Sequence, residues 1–145
     1  LVRNDLTRSA VTGTIKVPEL FQIYTFPTVH QMISTVTAQK RLEVHWVEAI
    51  KNAFPMGSMT GAPKVIAMEL IEQYERTRRG LYSGSVGYVT PNGNFDFNVV
   101  IRSLLYNQNK RYLSYQAGGA ITYDSSPEAE YEESLLKAAV LDKIL

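Results

Sequence analysis

Apolar and polar positions change period several times along the chain, and each period predicts a different element. Alternating and β-branched residues predict short strands over 13–18, 21–26 and 30–40. Apolar residues then recur at positions 46, 47, 50, 53 and 54, which is the spacing of a short amphipathic helix. A second helix is predicted from about residue 62 to residue 75, after a non-helical loop rich in proline and glycine.

Later in the chain, the pattern predicts antiparallel strands and one terminal helix. Strand patterns cover 81–90, 95–107 and 111–116, and short turns join them. The first turn contains Asn92-Gly93, a pair that accepts positive φ and is typical of a hairpin. We therefore predict that these strands form an antiparallel meander. Ser126 and Pro127 predict the N-cap and first residue of the last helix. The predicted class is α+β, an antiparallel sheet with helices packed on one face.

Composition narrows the classes of protein. The chain has 145 residues, enough for one domain with a core, and 15 basic residues nearly balance 14 acidic ones. We therefore expect no nucleic-acid partner. The absence of cysteine excludes disulfides and thiolate metal sites, and two histidines argue against a poly-histidine zinc site. No signal peptide or long apolar run is present, so we predict a cytoplasmic protein with no membrane partner.

The loop 54–64 combines glycines, hydroxyl side chains and two prolines, and it leads directly into a predicted helix. Glycine lets the backbone approach a ligand closely, and the first turn of a helix offers unpaired N–H groups that suit an anion. The loop is therefore a candidate seat for a carboxylate or phosphate. A tight connection between two elements explains the same residues.

Glu130, Glu133 and Lys137 lie three and four residues apart, on one face of the terminal helix. Two carboxylates one turn apart suit Mg²⁺, which takes one or two carboxylates and keeps water or substrate oxygens as its other ligands. A solvated Glu133–Lys137 ion pair is the structural alternative.

Two other features have both a functional and a structural explanation. The small residues of 116–121 can turn backbone N–H groups toward a ligand, or can form a simple bend. Arg102, predicted to lie on a strand among apolar neighbours, requires a carboxylate from the protein or from a ligand. His30 lies beside a strand and is predicted to be a core histidine, while Tyr82 carries no signal of its own. No catalytic triad, P-loop or dinucleotide motif is present.

Several long motifs resemble the C-terminal part of the chorismate-utilising enzymes, the family of the anthranilate, aminodeoxychorismate, isochorismate and salicylate synthases. The resemblance covers essentially the whole chain. Its motifs are Leu1-Val2-Arg3-Asn4-Asp5-Leu6, Pro27-Thr28-Val29-His30, Gly57-Ser58-Met59-Thr60-Gly61-Ala62-Pro63-Lys64, Arg78-Arg79-Gly80, Gly87-Tyr88, Ile101-Arg102-Ser103 and Asp124-Ser125-Ser126-Pro127-Glu128-Ala129-Glu130-Tyr131-Glu132-Glu133.

Within that family, the segment 58–64 is most similar to the aminodeoxychorismate-forming branch (component I), and next to the anthranilate-forming branch. The resemblance implies formation of 4-amino-4-deoxychorismate from chorismate and ammonia, in 4-aminobenzoate and folate biosynthesis. It also implies a glutamine amidotransferase subunit as the partner that supplies the ammonia. Anthranilate formation is the first alternative, and a non-catalytic fragment or binding module is the second.

The resemblance also implies roles for individual residues. It implies Mg²⁺ as cofactor, with Glu133 as ligand and Glu130 beside it, and Lys137 as a catalytic positive charge near the same substrate carboxylate. Residues implied to bind substrate carboxylates are Arg102, Tyr82, Gly118, Gly119 and Ala120. His30 is implied as a catalytic group and Ser58 as a binding group, both lining the ring pocket.

Two departures from the family pattern bear on these roles. Ala120 stands where family members usually have glycine, which is tolerable when φ at that position is negative. The chain opens with Leu1 rather than Met, and the family's other Mg²⁺-binding glutamate and its branch-specific lysine are expected upstream. We therefore predict that residues 1–145 form the C-terminal portion, about half, of a chorismate-binding domain. Such a fragment should have exposed sheet edges and should be inactive alone.

Overall fold

The computed structural model of the chain describes residues 1–27 and 29–139. The chain divides into two compact units, Leu1–Arg76 and the part that begins at Thr77. The elements of the first unit are α1 (Val2–Thr7), β1 (Lys16–Phe26), β2 (Val29–Thr37), α2 (Trp46–Ala53), α3 (Gly57–Thr60) and α4 (Lys64–Tyr74). Those of the second are β3 (Ser85–Val89), β4 (Phe95–Val99), β5 (Leu105–Asn107), β6 (Tyr112–Ser114) and α5 (Pro127–Ala138).

In the first unit, β1 and β2 form one long antiparallel hairpin, with Phe26 opposite Val29 and Lys16 opposite Thr37. The prediction of two separate strands before residue 27 was wrong, because β1 continues through Pro18. The register is irregular between Lys16 and Gln22, and Phe21 has φ +56° there. Such a bulge lets one strand absorb extra residues while the ladder continues.

The helices of the first unit agree with the sequence pattern in two cases and differ in two. The amphipathic spacing correctly predicted α2 and α4, to within about two residues at each end. However, α1 was not predicted, since its six residues carry no apolar period. The loop 54–64 is not wholly non-helical, because it contains the single turn of α3.

In the second unit, the Asn-Gly prediction is confirmed, since β3 and β4 pair antiparallel around a turn in which Gly93 has φ +85°. The three-stranded meander was wrong. Strand β4 ends at Val99 and a bend follows, so β5 begins afresh at Leu105 and pairs only with β6 among the described residues. The sheets are therefore three antiparallel pairs, and each strand has one open edge within residues 1–27 and 29–139.

The buried part of the chain is small. Buried apolar side chains are Ala10 and Val44 in the first unit and Val100 in the second, while Ile23 and Met32 are 72% and 62% exposed. Helices and antiparallel strands together confirm the α+β class. Within the described ranges, no helix has both the length and the apolar character needed to cross a bilayer.

Candidate active site

Helix α5 begins as predicted, with Ser126 as N-cap and Pro127 as its first residue. The Ser126 hydroxyl accepts a hydrogen bond from the Ala129 N–H at 3.4 Å and donates one to Glu128 Oε2 at 3.0 Å. The backbone N–H of Glu128, and then the Ser126 hydroxyl, hold the pKa of the Glu128 carboxyl below its ordinary value. This capping fixes where the acidic face of α5 starts.

On that face, Glu133 and Lys137 form an ion pair of 2.5 Å, with side chains 52% and 30% exposed. The Lys137 ammonium also donates to the backbone oxygen of Gly118 at 3.2 Å. The Tyr115 hydroxyl donates to the backbone oxygen of Lys137 at 3.1 Å. Two hydrogen bonds therefore join the end of α5 to the segment 115–118. The solvated ion pair considered from sequence is present, and its ammonium bridges to the glycine segment.

Glu130 lies one turn earlier and is half-buried. Its Oε1 accepts a hydrogen bond from the Ser125 hydroxyl at 2.7 Å. A Cβ built on Gly119 would lie 3.1 Å from Glu130 Oε2, so the absence of a side chain at Gly119 leaves room for the carboxylate. An open cavity of about 300 Å³ lies here, lined by Gly119, Ile121, Ser125, Pro127, Glu130, Tyr131 and Ser134.

Tyr82 approaches the same glycine segment, since a Cβ on Gly118 would lie 3.2 Å from the Tyr82 hydroxyl oxygen. Arg79 makes two contacts with Tyr82. The Arg79 guanidinium lies 6.0 Å from the centroid of the Tyr82 ring, and the Tyr82 N–H donates a hydrogen bond to the backbone oxygen of Arg79 at 3.0 Å. The structure thus places six predicted site residues in one region of the second unit: Tyr82, Gly118, Gly119, Glu130, Glu133 and Lys137.

Arg102 lies differently from its prediction. It occupies an exposed bend with φ +51°, beyond the end of β4, so the prediction that it lies on a strand among apolar neighbours was wrong. Within residues 1–27 and 29–139, no ion pair joins Arg102 to a carboxylate. The salt bridge that was the structural alternative is therefore absent from the described part, and the guanidinium remains open to a ligand.

Ala120 is compatible with its position. Among the described non-glycine residues, positive φ occurs at Phe21, Ser83, Arg102 and Arg111, so the Ala120 backbone is in an ordinary region. The substitution of the family's usual glycine by Ala120 therefore causes no backbone strain.

His30 and Ser58 belong to the first unit. His30 is exposed on β2, where its Nδ1 lies 3.1 Å from the Thr25 hydroxyl of the paired strand. The prediction of a core histidine was wrong, because the His30 side chain is exposed. Ser58 is exposed on the single turn of α3.

The predicted anion seat of the 54–64 loop is partly filled by the chain itself. Asp5 is 5% exposed, and its Oδ2 accepts a hydrogen bond from the Gly57 N–H at 2.8 Å. Its Oδ1 pairs with the Lys64 ammonium, whose side chain is 14% exposed. Sequence pattern alone could not predict this position of Asp5, because 52 and 59 residues separate Asp5 from these partners.

The oxygen atoms around α5 suit a hard cation. The Lys137 ammonium already places a positive charge between Glu133 Oε1 and the Gly118 carbonyl oxygen. Carboxylate and carbonyl oxygens are ligands that Mg²⁺ takes, and it needs only one or two carboxylates from the protein. No set of three or more His, Asp or Glu side chains suited to a metal occurs in residues 1–27 and 29–139. The fit therefore rests on Glu130 and Glu133.

Comparison with known proteins identifies the family. A family model described as chorismate binding enzyme matches residues 1–143. The chain belongs to the chorismate binding enzymes.

Two curated chorismate binding enzymes show how similar the relatives are. The chain is 47% identical to Aminodeoxychorismate synthase component 1 of Escherichia coli, over 94% of this chain and 30% of the relative. It is 43% identical to Anthranilate synthase component 1 of Bacillus subtilis, over the whole chain and 28% of the relative. The order of the two branches agrees with the order predicted from segment 58–64. The chain spans less than a third of either relative.

The fold agrees with that of a solved family member. Anthranilate synthase component I from Streptococcus pneumoniae superposes with a TM-score of 0.78 and 31% identity, over 94% of this chain and 31% of that one. The matched part of this chain therefore has the fold of a segment of a chorismate-binding enzyme.

Proposed function

We propose that the protein containing this chain forms 4-amino-4-deoxychorismate from chorismate and ammonia. In this reaction, the ammonia nitrogen forms a bond to ring carbon C4, the bond from C4 to its hydroxyl oxygen breaks, and water leaves. The observation that carries the proposal is 47% identity to an aminodeoxychorismate synthase, against 43% to an anthranilate synthase.

The second unit offers groups for a substrate with two carboxylates. Arg102 projects from an exposed bend without a carboxylate partner in the described residues, so its guanidinium can pair with the enolpyruvyl carboxylate. The Tyr82 hydroxyl can donate to the same group. Backbone N–H groups of Gly118, Gly119 and Ala120 can donate to carboxylate oxygens, and Gly119 leaves the space for this close approach.

Glu133 and Glu130 would hold Mg²⁺. When bound, the ion would neutralise the ring carboxylate of chorismate and act as a Lewis acid. Lys137 adds a second positive charge beside the same face, and its bond to the Gly118 oxygen keeps the glycine segment near α5. Ser125 holds the Glu130 carboxylate in place.

The remaining assignments complete the proposal. His30 would act as a catalytic group and Ser58 as a binding group at the ring of chorismate. A glutamine amidotransferase subunit would supply ammonia in the cytoplasm, and the product would lead to 4-aminobenzoate and folate. These assignments rest on the resemblance to the aminodeoxychorismate-forming branch.

Product analysis tests the proposal. The full-length protein is incubated with chorismate, Mg²⁺ and ammonium, with and without an aminodeoxychorismate lyase, and the aminobenzoates are separated by chromatography. We expect 4-aminobenzoate only when the lyase is present, since the lyase removes the enolpyruvyl group as pyruvate. A reaction without Mg²⁺ is the control for the cofactor.

Other products would identify the alternatives. Formation of 2-aminobenzoate without the lyase would show anthranilate synthesis, which the similarity to the Streptococcus pneumoniae structure keeps as the second candidate. Chorismate binding without any consumption would show a binding module.

A further inference from the structure

A buried ion pair in the first unit joins three elements that are far apart in the sequence. Asp5 lies on α1, Gly57 begins α3, and Lys64 begins α4. Both oxygens of the Asp5 carboxylate are used, one by the Gly57 N–H and the other by the Lys64 ammonium. Lys64 also donates to the backbone oxygen of Ala53 at 3.4 Å, at the end of α2.

The fit around Gly57 is tight. A Cβ at this position would lie 2.9 Å from the Leu1 Cβ and 3.0 Å from Asp5 Oδ2. Gly57 is buried, whereas the next residue, Ser58, is exposed. The Asp5 carboxylate therefore accepts a hydrogen bond from the backbone of the residue immediately before Ser58, which is proposed to bind substrate.

A buried charge pair is weak evidence for stability alone, because desolvation offsets much of the attraction. Its directional contacts do fix geometry, since each carboxylate oxygen has one donor and both charges are largely shielded from water. A short helix of four residues has little stability of its own and depends on such external contacts.

We propose that Asp5 and Lys64 are positioning residues that hold the Gly57–Thr60 turn, and with it Ser58, in the geometry that binds substrate. The part of this inference that concerns substrate rests on the proposed function. The part that concerns the turn stands on the contacts alone.

The test uses Lys64→Met, which removes the charge, and Lys64→Arg, which keeps it. Asp5→Asn keeps the size of the side chain and removes its charge. Glu43→Gln is the matched control, because it breaks an exposed ion pair of the same unit, Arg41–Glu43 at 3.0 Å. All variants are made in the full-length protein.

Hydrogen exchange followed by mass spectrometry reports on the turn. We expect the peptide covering 54–63 to exchange about tenfold faster in Lys64→Met and Asp5→Asn, with the peptide covering 16–27 unchanged. Lys64→Arg and Glu43→Gln should retain wild-type exchange. Unchanged exchange in Lys64→Met and Asp5→Asn would overturn the proposal, whatever the protein catalyses. Equal acceleration in both peptides would also overturn it, because the pair would then only stabilise the whole unit.

Steady-state kinetics reports on substrate. We expect the KM for chorismate to rise about tenfold in Lys64→Met, with a smaller change in kcat, and to recover in Lys64→Arg. A purely structural role would lower the amount of active protein, and hence apparent kcat, with KM unchanged; that result would overturn the positioning role. If the wild-type protein does not consume chorismate, the proposed function fails and the exchange data alone decide whether the pair holds the turn.

Discussion

Glu133→Gln separates the chemical role of the carboxylate from its structural one. The Glu133 side chain is 52% exposed and its only described partner is Lys137, also partly exposed. Such an i,i+4 pair contributes about 0.3–0.5 kcal/mol, so the substitution should change the free energy of unfolding by less than about 1 kcal/mol. If Glu133 is a Mg²⁺ ligand, Mg²⁺-supported turnover should fall more than about 100-fold, since even residues behind the ligands cost 10- to 100-fold.

The assays are urea unfolding, isothermal titration of Mg²⁺ and turnover of chorismate. Glu132→Gln is the matched control, because it removes the same charge one position away on the same helix, from an exposed side chain. We expect Glu132→Gln to retain both Mg²⁺ binding and turnover. If Glu133→Gln matches Glu132→Gln in these two measurements, the metal assignment is refuted. If Glu133→Gln unfolds, the structural estimate is refuted instead.

Further predictions concern the individual residues Arg102, Glu128 and Gly57. Arg102→Ala should raise the KM for chorismate about 30-fold, because it removes an ionic contact worth about 2 kcal/mol. Arg102→Gly should be about 1 kcal/mol more stable than Arg102→Ala in urea unfolding, because φ at this bend is +51°. Equal stabilities of the two variants would contradict the backbone argument. Because the pKa of Glu128 is lowered in the folded state, the ionised carboxylate should stabilise the fold fully above the ordinary glutamate pKa, and this stabilisation should be lost as the pH falls through the lower folded pKa. NMR titration of Ser126→Ala should show the Glu128 pKa moving back up. An unchanged pKa in this variant would show that the Ser126 hydroxyl does not lower it. Gly57→Ala should cost about 1–3 kcal/mol in urea unfolding, because the new methyl group would lie 2.9 Å from the Leu1 Cβ; wild-type stability would show that the turn can move away.

Local signals predicted the elements whose boundaries are set locally. Ser126 and Pro127 defined the start of α5, and Asn92-Gly93 defined a hairpin, because a cap or a tight turn involves only neighbouring residues. The face of α5 that carries Glu130, Glu133 and Lys137 followed from helical spacing in the same way.

Long-range pairing could not be predicted from these patterns. The alternation over 95–107 continues through the Arg102 bend, so the sequence pattern does not reveal that β4 ends at Val99. Side-chain alternation describes residues that are extended, but it does not say which strands pair. The meander was wrong for this reason.

Contacts between segments that are distant in the sequence could not be predicted from the residue pattern either. Asp5 lies in a polar opening and Lys64 in a known motif, but nothing in either segment indicates that their charges meet. Likewise, the sequence did not predict that Ser125 holds Glu130, or that Lys137 reaches the Gly118 oxygen. These contacts depend on tertiary packing rather than on residue spacing.

The protein containing this chain is proposed to deliver ammonia nitrogen to C4 of chorismate. The most direct measurement supplies ¹⁵N-ammonium to the full-length protein with chorismate and Mg²⁺, without a lyase, and locates the label by ¹³C–¹⁵N correlation NMR. We expect ¹⁵N to be bonded to C4 of a ring that retains its enolpyruvyl group. Label at C2, or chorismate recovered without label, would contradict it.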